Sequence, residues 1–227
     1  METDGKWVVT AVERRRNEQH RYDVYLNGEY ALTVHEDVLV EHRLIKGATI
    51  DRERYDEIVR DEQKHRSWSD AMRYVGLKPR TEQEVKRYLR RRGYEPSLVD
   101  QAIERLRQRR YVDDEQFAAE WSERRILSHK KGRRWVQAEL FQKGVDKTII
   151  MRALEQIDPE DELEAATELG RKKWGQASGE LADKRRKTAA FLLRRGFAAS
   201  LVREAVRRIE REERETGGSD AERSQWE

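Results

Sequence analysis

Residues 110–145 read Arg-Tyr-Val-Asp-Asp-Glu-Gln-Phe-Ala-Ala-Glu-Trp, then Ser-Glu-Arg-Arg-Ile-Leu-Ser-His-Lys-Lys-Gly-Arg-Arg, then Trp-Val-Gln-Ala-Glu-Leu-Phe-Gln-Lys-Gly-Val. Asp113 has the short carboxylate that suits a helix N-cap, and the acids after it favour the positive end of a helix dipole. A charged elbow runs from Arg124 to Arg134. A second helix then ends at Gly144, where glycine adopts a left-handed C′ conformation at little steric cost.

That ending recurs at Gly93 and Gly196, separated from Gly144 by 51 and 52 residues. Four positions before the glycines stand Leu89, Leu140 and Leu192, and just after them Tyr94, Val145 and Phe197. Further on, Leu98, Ile149 and Leu201 correspond, as do Ala102, Ala153 and Ala205, and Leu106, Ile157 and Ile209. Apolar residues at these spacings form one face of an amphipathic helix. Each glycine-centred pair comes after another helical stretch, at 69–75, 114–127 and 161–174. The unit is three helices of about 50 residues, a repeat whose copies contact mainly their neighbours.

Outward from the repeats, residues 6–34 alternate as strands do. Asn27-Gly28 between alternating runs marks a hairpin, and a third strand spans Lys6 to Arg14. A short helix from His35 to Lys46 has Val38, Leu39 and Ile45 inward and Gly47 as its C′ residue, and Ile50 is one more buried anchor. A longer helix starts near Asp51, and its wholly polar stretch Asp61–Arg66 reads as a lever or linker. Arg14, Arg15, Arg16 and Arg21 read more readily as a solvated hairpin end than as a binding patch.

The predicted fold is mainly α: three tandem three-helix repeats in an elongated curved array, preceded by a small N-terminal domain containing a β-hairpin. The boundaries are 1–60 for the β-rich domain with its linker helix, 61–111, 112–158 and 159–212 for the repeats, and 213–227 for a disordered acidic tail. The acidic stretch from Glu210 to Glu227 reads as solubilising, the other reading being an electrostatic mimic folded back on the basic surface.

Charged residues are 41% of the 227 and hydrophobic ones 36%, with a mean hydropathy of −1.07. Such a chain supports several modest cores better than one large one. Forty-eight basic and 45 acidic residues leave a net charge of only +3, so net charge by itself points to no polyanion. Without cysteine there is neither a disulfide framework nor a thiolate metal site, and a reducing, cytoplasmic setting is expected. No apolar run reaches the roughly 18 residues of a membrane span.

No catalytic constellation is present. Of the five histidines, His20, His35, His42, His65 and His129, no two have the i, i+4 spacing of a helical metal site. Asp113, Asp114 and Glu115 are explained by capping. There is no phosphate-binding glycine loop. The expectation is a non-enzyme with no cofactor and no metal.

Distribution of charge is the stronger signal. Lys86, Arg87, Arg90 and Arg91 lie on one helix of the first repeat; Arg124, Arg125, Lys130, Lys131, Arg133 and Arg134 form the elbow of the second; Lys184, Arg185, Arg186 and Lys187 lie in the third. Recurrence in all three units suggests a basic stripe suited to phosphates, although any single patch also reads as a solvated face balanced by nearby acids. Trp121 reads as core, and Trp135, beside the elbow, is the better candidate for an aromatic that faces a partner.

The motifs Arg80-Thr81-Glu82-Gln83-Glu84-Val85, Tyr111-Val112-Asp113-Asp114, Phe117-Ala118, Arg125, Gly132, Glu139-Leu140 and Lys143-Gly144-Val145 resemble those of the RecX family over residues 67–210. The β-rich head is similar to the extension of longer members. The resemblance implies a helical-repeat regulator that binds the RecA recombinase filament, limits its growth, ATPase and strand exchange in recombination, DNA repair and the SOS response, and also binds single- and double-stranded DNA. It is read as a monomer with no membrane partner. The alternative is a stand-alone nucleic-acid-binding repeat protein.

Overall fold

The computed structural model describes residues 6–16 and 18–223, with side chains through residue 215. Pro79 and the residues before it form one compact unit with Val85–Val112; Arg80–Glu84 and the residues from Asp113 onward form the other.

In the first unit, β1 (Trp7–Arg14), β2 (Arg21–Leu26), β3 (Glu29–His35) and β4 (Thr49–Ile50) make an antiparallel sheet ordered β3-β2-β1-β4. Asn27 and Gly28 have φ of 51° and 90°, as the predicted tight turn requires. The Asn27 side chain ties that turn to β1 by accepting from the Val8 N–H at 2.8 Å. Val9, Val24, Leu26, Val34 and Ile50 bury one sheet face against Val38, Leu44 and Ile58.

The helix after β3 is shorter than expected. It spans α1 (Glu36–Glu41), and Arg43 then reverses the chain at φ 47°. This reversal shifts the phase of the next two residues: Leu44 is buried, while Ile45, expected inward, is 67% exposed.

The long helix α2 (Arg52–Gly76) starts from an Asp51 side chain that accepts the Arg54 N–H at 2.9 Å. Its polar middle is no linker. Glu62 is buried; one carboxylate oxygen accepts the His35 N–H at 2.7 Å and the other pairs with Arg21. His42 pairs with Asp61 at 3.0 Å. His65 stacks on His35 with ring centroids 3.8 Å apart. Burial holds the His35 imidazole below its ordinary value, and the His65 ring acts in the same direction. The helix therefore crosses residues 60–61 unbroken and serves both the head and the first repeat.

In that repeat, α2 packs with α3 (Glu82–Arg91) and α4 (Pro96–Gln108) around Ala71, Val85, Leu89, Val99, Ile103 and Leu106. The Tyr94 hydroxyl donates to Asp70 at 2.6 Å; burial and that bond push its pKa up to about 12.

The second unit holds the other two repeats, each with its own core. Repeat 2 comprises α5 (Asp114–Glu123), a π-turn at Arg124–Ser128, α6 (Arg133–Lys143) and α7 (Lys147–Glu155). Repeat 3 comprises α8 (Pro159–Gly175), α9 (Leu181–Arg194) and α10 (Ala199–Arg223). The tail expected to be disordered from residue 213 is helical through Arg223, and residues 224–227 lie outside the described ones.

The repeat signature has one physical cause in all three copies. Gly93, Gly144 and Gly196 have φ of 85°, 85° and 90°. The next residue, Tyr94, Val145 or Phe197, donates its N–H back to Leu89, Leu140 or Leu192 at 3.4, 3.1 and 3.3 Å. Each glycine N–H returns to the residue three before it. This is a complete Schellman ending, and its apolar contact is the one between the leucine and the residue after glycine.

Candidate partner-binding surface

The elbow is built by a change of helix type. At Arg124–Ser128 the backbone widens to a π-turn, closed by the His129 N–H on the Arg124 carbonyl at 3.2 Å. Lys130 comes next at φ 50°, and Gly132 precedes α6. The turn buries Ile126 and spreads its basic neighbours in different directions.

Three of the six elbow cations are matched by acids distant in sequence. Arg125 pairs with Glu139 at 2.9 Å and lies over the Trp121 ring. Lys130 pairs with Glu168 at 2.9 Å. Arg133 pairs with the buried Glu162 at 2.8 Å and also donates to the Ile157 carbonyl at 2.7 Å. Lys131 sits 3.6 Å over the Trp135 ring; burial, then the nearby Arg195, lowers its pKa. Arg124 and Arg134 are exposed, and among the described residues neither has an ion-pair partner. Trp121 packs on Phe117 as expected of a core residue. Trp135 is 40% exposed and donates to Glu139 at 3.0 Å.

The third patch is neutralised by its own chain. Lys184 pairs with Glu213 at 3.0 Å and Arg185 with Glu210, both acids coming from α10. Arg186 pairs with Asp183 at 2.9 Å, and Lys187 donates to the Ser178 carbonyl at 2.8 Å. Glu213 also accepts from the buried Trp174, and Glu212 takes Arg171. Glu210 and Glu213 of α10 thus lie on the third basic patch. In the first patch Lys86 lies 3.6 Å from Asp100, and Arg87 is partly buried and partnered. Arg90 and Arg91 are exposed without an ion-pair partner among the described residues. A uniform stripe of free cations is therefore not what folding produces. Recurrence in sequence could not reveal this, because the neutralising acids are brought in by tertiary packing.

Packing also exposes an apolar position. Phe141, three before its glycine, is 71% exposed on α6, and the equivalent Leu193 is 45% exposed on α9. Arg90 holds the same place on α3. The repeat register could have found this outward-facing position.

The second unit joins successive middle helices end to end. The Gly132 N–H donates to the Arg195 carbonyl at 3.0 Å, and the Arg134 N–H to that of Gly196 at 3.2 Å. The Glu162 carboxylate accepts the Arg133 N–H at 3.0 Å. The start of α3 repeats the plan: the Thr81 hydroxyl donates to the Lys143 carbonyl at 2.8 Å, and Asp114 accepts the Glu82 N–H at 2.9 Å. Asp113 caps its own helix, accepting from Gln116 at 2.9 Å, so the two adjacent aspartates cap two different helices. Thr81 and Glu84 also form a reciprocal capping box, legible as Thr-x-x-Glu.

Among the described residues no helix is long and apolar enough to cross a membrane. The family model of the regulatory protein RecX N-terminal domain matches residues 8–51. Models of the first, second and third RecX three-helix domains match 68–106, 113–154 and 160–206. The regulatory protein RecX of Listeria monocytogenes serovar 1/2a is 27% identical over 200 residues, covering 87% of this chain and 74% of that protein. The regulatory protein RecX of Oceanobacillus iheyensis is 28% identical over 208 residues, covering 89% and 76%. A crystal structure of regulatory protein RecX superposes with a TM-score of 0.69 at 28% identity, covering 86% of this chain and 96% of the other. That of RecX from Lactobacillus salivarius, at 20% identity and a TM-score of 0.64, covers 66% and 98% and speaks to the fold alone.

Proposed function

Because this chain belongs to the RecX family, we propose that its regulatory role is exerted on the RecA recombinase: it binds the RecA filament on DNA and limits filament growth, ATP hydrolysis and strand exchange. It acts by binding and has no catalytic step of its own. The observation that carries this reading is the full order of head and three three-helix domains along one chain.

The charge arrangement supports a protein as the main partner. Internal pairing of Arg125, Lys130, Arg133, Lys184 and Arg185 removes much of the charge that free DNA would need. Arg90, Arg91, Arg124 and Arg134 are left for phosphate contacts within the filament, with Phe141 and Trp135 as apolar anchors on α6.

The test compares affinity for bare single-stranded DNA with affinity for RecA-coated DNA at physiological salt. Clear preference for the coated strand is expected, with inhibition of RecA ATPase over the same concentration range. Equal or weaker binding to the filament overturns the reading in favour of a stand-alone nucleic-acid-binding protein.

A further inference from the structure

We propose that His35, Asp37 and His65 form a binding site for a late first-row divalent cation, with Zn2+ as the preferred ion, fastening the end of β3 and the start of α1 to α2. His35 Nδ1 and His65 Nε2 each lie 3.4 Å from Asp37 Oδ2. The three ligand atoms all fall within 4.8 Å of one another. A separation of 3.4 Å is long for a hydrogen bond between imidazole and carboxylate. It is the edge of a tetrahedron: donors at about 2.0–2.1 Å from Zn2+ stand roughly 3.3–3.5 Å apart. The same edge length occurs from both rings to one oxygen.

The chemistry of the donors narrows the ion. Two imidazoles and one carboxylate suit Zn2+ and its neighbours, whereas Mg2+ and Ca2+ require mostly oxygen donors. Three protein ligands leave a fourth position for water. The His35 and His65 rings are stacked, with centroids 3.8 Å apart and planes 21° apart, so one ring must turn about its side-chain bonds for both in-plane lone pairs to meet on one ion. Behind them Glu62 accepts the His35 N–H, so the backbone that carries the first ligand is anchored. One existing bond must give way: the Asp37 N–H donates to His35 Nδ1 at 3.1 Å, and the cation takes that lone pair. The Asp37 side chain is 75% exposed, so its carboxylate is open to an incoming ion.

Spacing rules could not find this site, since its ligands come from a strand end, a short helix and a long helix. It is tested on the untagged full-length protein with Zn2+ by calorimetry and Co2+ by visible absorption. One equivalent of Zn2+ is expected, together with a tetrahedral Co2+ spectrum and a raised melting temperature. All three signals should vanish in H65A and in D37N and persist in H129A, with circular dichroism unchanged in D37N. Absence of Zn2+ binding at micromolar metal overturns the proposal. So does binding retained in D37N and H65A, or binding displaced by millimolar Mg2+.

Discussion

Gly132 and Gly196 lie backbone against backbone: the Gly132 N–H reaches the Arg195 carbonyl, and a methyl group on Gly132 would overlap the main chain of Gly196 and Phe197. On the other side, a Cβ on Gly196 would stand 2.6 Å from the Trp135 nitrogen. Only two residues without side chains bring the end of α9 this close to the start of α6. Gly132→Ala should therefore destabilise the second unit by about 2 kcal/mol, since backbone cannot yield as a side-chain tip does. Gly175→Ala, with nothing within 4 Å of its Cβ and no left-handed φ, is the neutral control. Equal melting temperatures for the two variants would refute the close approach.

Gly144→Val tests the helix ending itself. At φ 85° a β-branched residue is strained, and the cost should be roughly 1–2 kcal/mol. Denaturant unfolding of the middle repeat measures it, and Gly144→Asn should recover part of the loss because asparagine tolerates this region.

The basic residues divide into two groups with different readouts. Arg124→Ala with Arg134→Ala should leave the melting temperature unchanged, weaken filament binding and flatten its salt dependence. Arg133→Ala should instead lower stability by about 3 kcal/mol, because it leaves the buried Glu162 carboxylate with a backbone N–H but no cation. Neutralising the whole elbow at once would confuse the two effects, so thermal unfolding and filament affinity must be read on each group separately.

Acid should loosen the contact between the start of α3 and the end of α6. Burial raises the Glu84 pKa, but bonds from Lys143 and the Thr81 N–H and the charges of Lys143 and Arg80 outweigh it, so its net pKa is below the ordinary value. A depressed carboxylate contributes stability that is fully present above its unfolded value of 4.5 and is lost as pH falls through the lower folded value. The melting temperature should accordingly drop on acidification below about pH 4.5. Glu84→Gln should show a lower melting temperature at neutral pH and a shallower acid limb, measured by thermal scans from neutral to acidic buffer.

The repeats were legible in the chain because their signals are local. Leucine four before glycine, glycine at positive φ and an apolar residue after it are all consequences of one helix ending, complete within six residues. Asn27-Gly28 is legible for the same reason: the turn type needs two left-handed residues in succession. The Asp113 cap also depends only on its own helix. The phase error at Ile45 marks where local reading stops, since the reversal at Arg43 carries no glycine to announce it.

The local chemistry of the sequence thus specifies the number of units, the register of their cores, the hairpin and the family. Which charges remain free is another matter. Glu162, Glu168, Glu210 and Glu213 approach their cations from 25 residues away or more, and a pairing at that distance exists only once helices have packed. The same packing turns Asp114 into a cap for a helix it does not belong to and gathers His35, Asp37 and His65 from three elements. Helix endings are governed by dihedral angles, which each residue carries with it; ion pairs and clustered ligands are governed by distances across the fold, which no single residue holds.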